Sequence, residues 1–367
     1  MSKKIRIVGI SAVAVLWLVL TLVTWFKPAG EMSTSERRPL AQFPELSVET
    51  ILSGDFISKF EDYTLDQFPG RDTFRQLKSI FHYYVMQQSD NNDIYVEDGY
   101  AAKLEYPLNQ DSLDYANKRF DNVYNKFLKG TDAKIYFSVI PDKSYYIGEE
   151  NGYLVMDYEA LFQNIRENNE WATYIDITGK LTVEDYYKTD THWRQEEILP
   201  VVQELCNAMG VKAPDASMYN KQHVNRPFYG VYYGQAALPM PSEDMYILTN
   251  DTLNGCIVTD FETGKTTVVY NDEMLDSKDL YDYYLGGAKA LLTIENPSAT
   301  TDKELVIFRD SFGSSISPLF MESYAKVTLI DIRYINSDYL KNFVKFDNQD
   351  VLFLYSTLVL NSSSTLK

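Results

Sequence analysis

Residues 304–356, ELVIFRDSFGSSISPLFMESYAKVTLIDIRYINSDYLKNFVKFDNQDVLFLYS, decide the fold. Three short apolar, β-branched runs, at 304–308 (ELVIF), 326–332 (KVTLIDI) and 350–356 (DVLFLYS), read as buried strands. Helical stretches near 315–323 and 337–346 separate them. Strands that are apolar throughout, rather than alternating with polar residues, are those of a parallel sheet covered on both faces. The strand–helix–strand rhythm therefore predicts an α/β domain.

The same alternation lies further upstream. From Asp111 to Leu128 the apolar positions Leu113, Ala116, Phe120, Val123 and Phe127 step by three and four, and Gly130 ends the pattern, so the spacing predicts an amphipathic helix. It leads into a strand at 133–141 (AKIYFSVIP), a helix near 157–168, a strand near 173–177 and a helix near 194–209. The stretch from about 214 to 296 is rich in Gly, Tyr and polar residues, with strand-like MYILT and TTVVY, and reads as an irregular or antiparallel insertion. Two more helices are expected at 55–66 and 73–84, broken by Phe68-Pro69-Gly70, with Asp72 placed to cap the second. Residues 28–53, with Pro28, Gly30, Pro39 and Pro44, read as a linker to a domain running from 54 to 367.

The first 27 residues differ from the rest. After Arg6, the run Ile7–Phe26 carries no charge over 20 residues, which at 1.5 Å per residue spans a hydrocarbon core of about 30 Å. A secretory signal has a shorter apolar core, about 7–15 residues, followed by a small-x-small cleavage site. The exit TWFKPAGEM offers a poor one, so residues 5–26 are expected to be an uncleaved signal anchor. Lys3, Lys4 and Arg6 precede the run and only Lys27 follows closely, so the positive-inside rule places residues 1–27 as a cytoplasmic stub and single-pass span, with 28–367 extracytoplasmic. Residues 1–27 hold four basic residues and no acidic one. Of the chain's 34 Lys and Arg and 52 Asp and Glu, residues 28–367 thus keep 30 basic against 52 acidic, a net charge of −22. So acidic a domain lacks the basic footprint of a nucleic-acid binder. Two cysteines, Cys206 and Cys256, leave one disulfide or two free thiols open, and build no disulfide framework.

Candidate chemistry sits where a strand turns into a helix. In open α/β sheets ligands bind beyond the carboxyl ends of the strands. Ser311, in Arg309-Asp310-Ser311-Phe312-Gly313, occupies such a corner, with its own N–H and that of Phe312 or Gly313 as candidate oxyanion donors in the first turn. A helix cap is the alternative reading of Asp310-Ser311. A serine nucleophile needs a base, and the chain has three histidines. His82 lies within a helical run and His223 in a polar loop, whereas His192 follows Asp190 by two residues in Asp190-Thr191-His192-Trp193. In an extended segment residues i and i+2 share a side, so Asp190 can hold Nδ1–H of His192 and leave Nε2 for Ser311. Trp193 and Lys143 are weaker candidates for substrate contact. Three histidines and no cysteine cluster leave too few ligands for a metal site, and no cofactor is expected.

Asp190-Thr191-His192-Trp193 resembles the D-x-H-W signature of the DHHW proteins and the related alginate O-acetylation proteins, a branch of the SGNH hydrolase superfamily in which Asp and His precede the serine. The order here is the same, with Ser311 in the matching Asp-Ser-Phe turn. Similarity extends through Arg38-Pro39-Leu40-Ala41, Asp66-Gln67-Phe68-Pro69-Gly70-Arg71-Asp72, Pro141-Asp142-Lys143, Phe228-Tyr229-Gly230 and Tyr284-Leu285-Gly286-Gly287, nearly all of residues 36–367. Where DHHW proteins commonly have a second His this chain has Thr191, as do alginate-type members, which makes that position non-catalytic. The resemblance implies an SGNH-like, flavodoxin-like parallel sheet sandwiched by helices, with permuted motif order. It further implies an O-acetyltransferase or acetylesterase acting on an exported or cell-surface polysaccharide, served by a multi-span membrane acyltransferase as acetyl donor. A scaffold that binds polysaccharide without turnover is the rival of another class; a separated or blocked Ser311–His192 pair would favour it.

Overall fold

A computed structural model describes residues 3–367. The chain divides into two units, Met1–Asn92 with Tyr233–Pro239, and Asp93–Tyr232 with Met240–Lys367. The first takes in residues 54–92, so the expected domain start at 54 falls inside it.

In the first unit, α1 (Lys3–Phe26) is the one helix among the described residues long and apolar enough to cross a membrane. Helix α2 (Val48–Ser53) is closed by a capping box at Ser47 and by Gly54 in the left-handed conformation, and buries no residue. Helix α3 (Asp55–Asp66) follows directly. Helix α4 (Arg71–Ile80) begins two residues earlier than expected: its cap is Gly70 at φ +72°, not Asp72, which lies within the first turn, and it widens into a π-helical turn over Phe81–Val85. The Arg38 guanidinium grips the Asp66 carboxylate through two bonds of 2.8 and 2.7 Å, which holds that carboxyl below its usual range. Residues 233–239 belong here because Arg75, Ser79 and Asn91 donate to the carbonyls of Gly234 and Ala236.

The second unit is built on an eight-stranded sheet: β1 (Lys134–Ile140), β2 (Thr173–Tyr174), β3 (Ile257–Asp260), β4 (Lys265–Thr267), β5 (Leu291–Glu295), β6 (Glu304–Arg309), β7 (Lys326–Ile330) and β8 (Asp350–Ser356), in the order β4-β3-β5-β7-β6-β8-β1-β2. From β7 to β2 all pairings are parallel, and β5, β3 and β4 extend the sheet antiparallel. Along β6, Leu305 and Ile307 enter a core shared with α7 (Leu199–Met209), whereas Val306 and Phe308 enter the core of α5 (Gln110–Val123) and α6 (Tyr158–Asn168). Both faces of the sheet are thus covered, as its apolar strands require.

Several boundaries depart from expectation. Strands β3, β4 and β5 fall inside the stretch read as an insertion, yet they complete the main sheet; only the hairpin of Asn220–Phe228 with Glu243–Thr249 is a separate sheet there. The helix expected at 194–209 starts at Leu199, because Trp193 pairs with Tyr186 in a short bridge and Gln195 is tied to the Ser315 carbonyl and the Leu248 N–H. The helix expected at 315–323 is instead α8 (Gly313–Ile316) followed by a 3-10 turn over Ser317–Glu322, where Pro318 supplies no amide donor. A 3-10 turn, Ser337–Asn342, also replaces the helix at 337–346, and β2 covers only two of the five residues expected at 173–177. Cys206 and Cys256 are free and buried.

Candidate active site

The corner after β6 is shaped by Asp310. Its Oδ1 accepts the Phe312 N–H at 3.0 Å and its Oδ2 the Ser356 N–H at the end of β8, at 2.7 Å. One carboxylate therefore folds the turn and ties it to the neighbouring strand. Gly313 sits so close beneath that an added Cβ would lie 2.7 Å from Arg309 Cβ. Ser311, between these supports, is partly exposed.

The Ser311 hydroxyl lies 2.8 Å from His192 Nε2, and His192 Nδ1 lies 2.5 Å from Asp190 Oδ1. With Nδ1 protonated toward the carboxylate, Nε2 is the acceptor for the serine proton. The segment is a bend, not an extended strand: Asp190 Oδ1 also accepts the backbone N–H of His192 at 3.0 Å, an Asx-type turn, while Oδ2 accepts the Val231 N–H at 2.8 Å. Asp190 is fully buried and His192 nearly so. The ring of Tyr281 stacks on the imidazole, with centroids 3.8 Å apart and planes within 8°, and its hydroxyl donates to Ser315 Oγ at 2.8 Å. This fixes the plane in which Nε2 can meet the serine.

The turn that carries Asp190 is clamped from further away. Glu243 accepts the N–H groups of Lys188 and Thr189 at 2.5 and 2.7 Å, and the Thr189 hydroxyl at 2.7 Å. The Gly230 N–H donates to Thr189 Oγ1 at 2.9 Å, and a Cβ on Gly230 would stand 2.3 Å from Asp190 N, Cα and Cβ. The backbone at 230 can approach this closely only as glycine.

Four expectations are corrected. The N–H of Phe312 is bonded to Asp310 Oδ1 and that of Gly313 to the Asp310 carbonyl at 3.1 Å, so of the expected oxyanion donors these two are already engaged. Trp193 is wholly buried against Phe312, with its indole N–H on Ser315 Oγ at 2.9 Å, and is a core residue. Lys143 is buried too: its Nζ donates to the carbonyls of Tyr187 at 2.8 Å and Lys188 at 3.2 Å, and burial lowers its pKa to about 7. It braces the Asp190 turn instead of reaching toward substrate. Finally, Asp190 and His192 meet through a turn rather than along a strand. Among the described residues no group of three or more His, Cys, Asp or Glu gathers as a metal site.

Asp310, Tyr281, Glu243 and Gly230 were not read as site residues from sequence. Asp310 alone carries a local signal, an Asp two residues before the amide it caps; the others reach the site across tens of residues.

No family model and no curated protein matches the chain. Solved structures do. A DHHW family protein from Eubacterium siraeum, 20% identical, superposes with a TM-score of 0.59 over 74% of this chain and 93% of its own. PatB1 from Bacillus cereus, 18% identical, does so with a TM-score of 0.58 over 73% of this chain and 96% of its own, and has also been solved with a sulfonyl adduct. The chain therefore has the α/β fold of the DHHW-type structures, with one N-terminal helix long and apolar enough to span a membrane.

Proposed function

We propose that this protein is a membrane-anchored, extracytoplasmic O-acetyltransferase that modifies an exported or cell-surface polysaccharide through an acyl-Ser311 intermediate. The observation that carries the reading is the unbroken relay from buried Asp190 through His192 to the partly exposed Ser311 hydroxyl, with contacts of 2.5 and 2.8 Å. In the first half-reaction Ser311 Oγ bonds to the acetyl carbonyl carbon and its proton passes to His192 Nε2. The donor's C–O bond then breaks, and the leaving oxygen takes that proton. In the second half, Nε2 accepts the proton of a sugar hydroxyl whose oxygen attacks the acyl carbon, and Ser311 departs with the proton restored. Asp190 holds the imidazole and stabilises its protonated form. With the amides of Phe312 and Gly313 engaged, the Ser311 N–H, for which no acceptor is found among the described residues, is the backbone donor left for the oxyanion.

An apolar span at residues 5–26 preceded by Lys3, Lys4 and Arg6 supports an extracytoplasmic site; acetyl groups then have to be delivered across the bilayer, and a multi-span acyltransferase fits that need. Water in place of the sugar would make the same site an acetylesterase. The test is acetyl release from a chromogenic acetyl ester by the full chain in detergent, beside Ser311→Ala. Activity that vanishes in the variant, with acetylated Ser311 trapped by mass spectrometry, is the expected result, and a sulfonyl fluoride is expected to modify the same residue. A folded protein with neither turnover nor an acyl-enzyme would overturn the proposal in favour of a binding scaffold.

A further inference from the structure

The first unit exposes apolar side chains in an ordered pattern. Along α4 and its π-helical extension, Phe74, Leu77, Phe81 and Val85 recur at spacings of three and four, and each is half exposed or more. That is one continuous stripe on a helical surface. The other side of α4 is spoken for: Ser79 is buried on the Ala236 carbonyl, and Arg75 is bonded to Glu36 and to the Gly234 carbonyl. Helix α2 repeats the feature. It is capped at both ends and therefore ordered, yet it buries nothing and presents Val48 and Leu52 at 75% and 82% exposure.

What covers the stripe is indicated by its neighbours. Trp17, within the apolar run of α1, meets the ring of Phe68 at 6.3 Å, and Phe68 meets Phe74 edge-on at 5.3 Å. The aromatic path runs from the membrane-spanning helix directly into the exposed stripe. Trp17 lies nine residues before Phe26, about 13 Å along the helix at 1.5 Å per residue. A span with Phe26 near the outer boundary thus brings Phe68 below the headgroups. Lys78 is exposed beside the stripe, whereas Arg71 and Arg75 are held in ion pairs with Glu36, Asp66 and Asp72. An exposed apolar stripe on a helical surface, continuous with a membrane-spanning helix and with a lysine at its side, is the pattern of a helix lying in a membrane interface.

We infer that α4 with its π-helical turn, assisted by α2, is seated in the outer leaflet as a second membrane contact alongside α1. This rests on the anchoring reading above. The consequence is that the first unit meets the bilayer along α4 as well as through α1.

Single-cysteine labelling of the full chain in mixed phosphatidylglycerol and phosphatidylcholine vesicles tests this. Bimane is placed at Leu77→Cys and Phe81→Cys, with Leu18→Cys in α1 and Asp251→Cys, exposed in the second unit, as references. Burial raises the native Cys206 and Cys256 to about 11 and 12, so the introduced thiol takes the label. Expected is strong quenching at 77, 81 and 18 by nitroxide on the lipid chains, with shielding from aqueous iodide, and the reverse at 251. Iodide access at 77 and 81 equal to that at 251 overturns the inference. So does shielding from both quenchers, which would mean that protein covers the stripe. A probe at 18 that the lipid does not quench would fell the anchor itself, a failure distinct from one confined to 77 and 81.

Discussion

The buried Asp190 carboxylate accepts from His192 Nδ1, the His192 amide and the Val231 amide. Asp190→Asn keeps the size and most of this pattern but presents a donor where Nδ1–H needs an acceptor. The expected outcome is a fall in kcat of about a thousand- to ten-thousand-fold with little change in KM, measured on the acetyl ester. An unchanged kcat would remove Asp190 from the mechanism. Lys143 behaves differently. Its pKa is lowered from 10.5 to about 7 by burial, so between these values the unfolded chain binds a proton that the folded chain does not. Stability contributed by this residue must therefore rise with pH from about 7 to about 10.5. A neutral amine still has two N–H groups for its two carbonyls. Chemical denaturation across that range should show the rise, and Lys143→Met should flatten it; equal slopes would contradict the assignment.

Around the site the turns matter more than the helices. Gly230 packs on Asp190 with no room for a Cβ. Gly230→Ala should destabilise the protein by about 1–3 kcal/mol through overpacking and lower kcat further by displacing Asp190. Thermal unfolding together with ester turnover separates the two effects, and a variant with unchanged kcat would show that the turn does not position the carboxylate. At this scale the sequence was legible where periodicity speaks. The apolar runs of β6, β7 and β8 and the stepped face of α5 were read directly. It was misleading where a long-range tie overrides local preference, as at 194–198, and where burial decides a role. Nothing in Lys143 or Trp193 distinguishes a side chain facing substrate from one facing the core. The pairing of His192 with Ser311 was readable because so few histidines compete, whereas Tyr281 and Glu243, two of many tyrosines and glutamates, carry no mark of their position.

In the whole second unit the sheet joins parts of the chain far apart in sequence. Strands β3 to β5 were not foreseen as members because antiparallel edge strands leave no βαβ rhythm to read. Strand β8, at residues 350–356, lies between β6 and β1, and its Ser356 amide closes the Asp310 turn beside Ser311. A chain ending at Gln349 should leave β1 and β2 without their neighbour and the serine corner unbraced. Limited proteolysis is expected to degrade it rapidly while the full chain survives; equal resistance would mean that the sheet closes without β8. Pairings this distant in sequence form late. On the proposed topology, with the chain threaded across a membrane behind an N-terminal anchor, β1 emerges well before β8, so the Asp310 turn at Ser311 stays unbraced until β8 has crossed. Under the proposed acetyl-transfer reading, a chain halted before β8 has crossed would capture no acetyl group, and the arrival of that strand would arm the site.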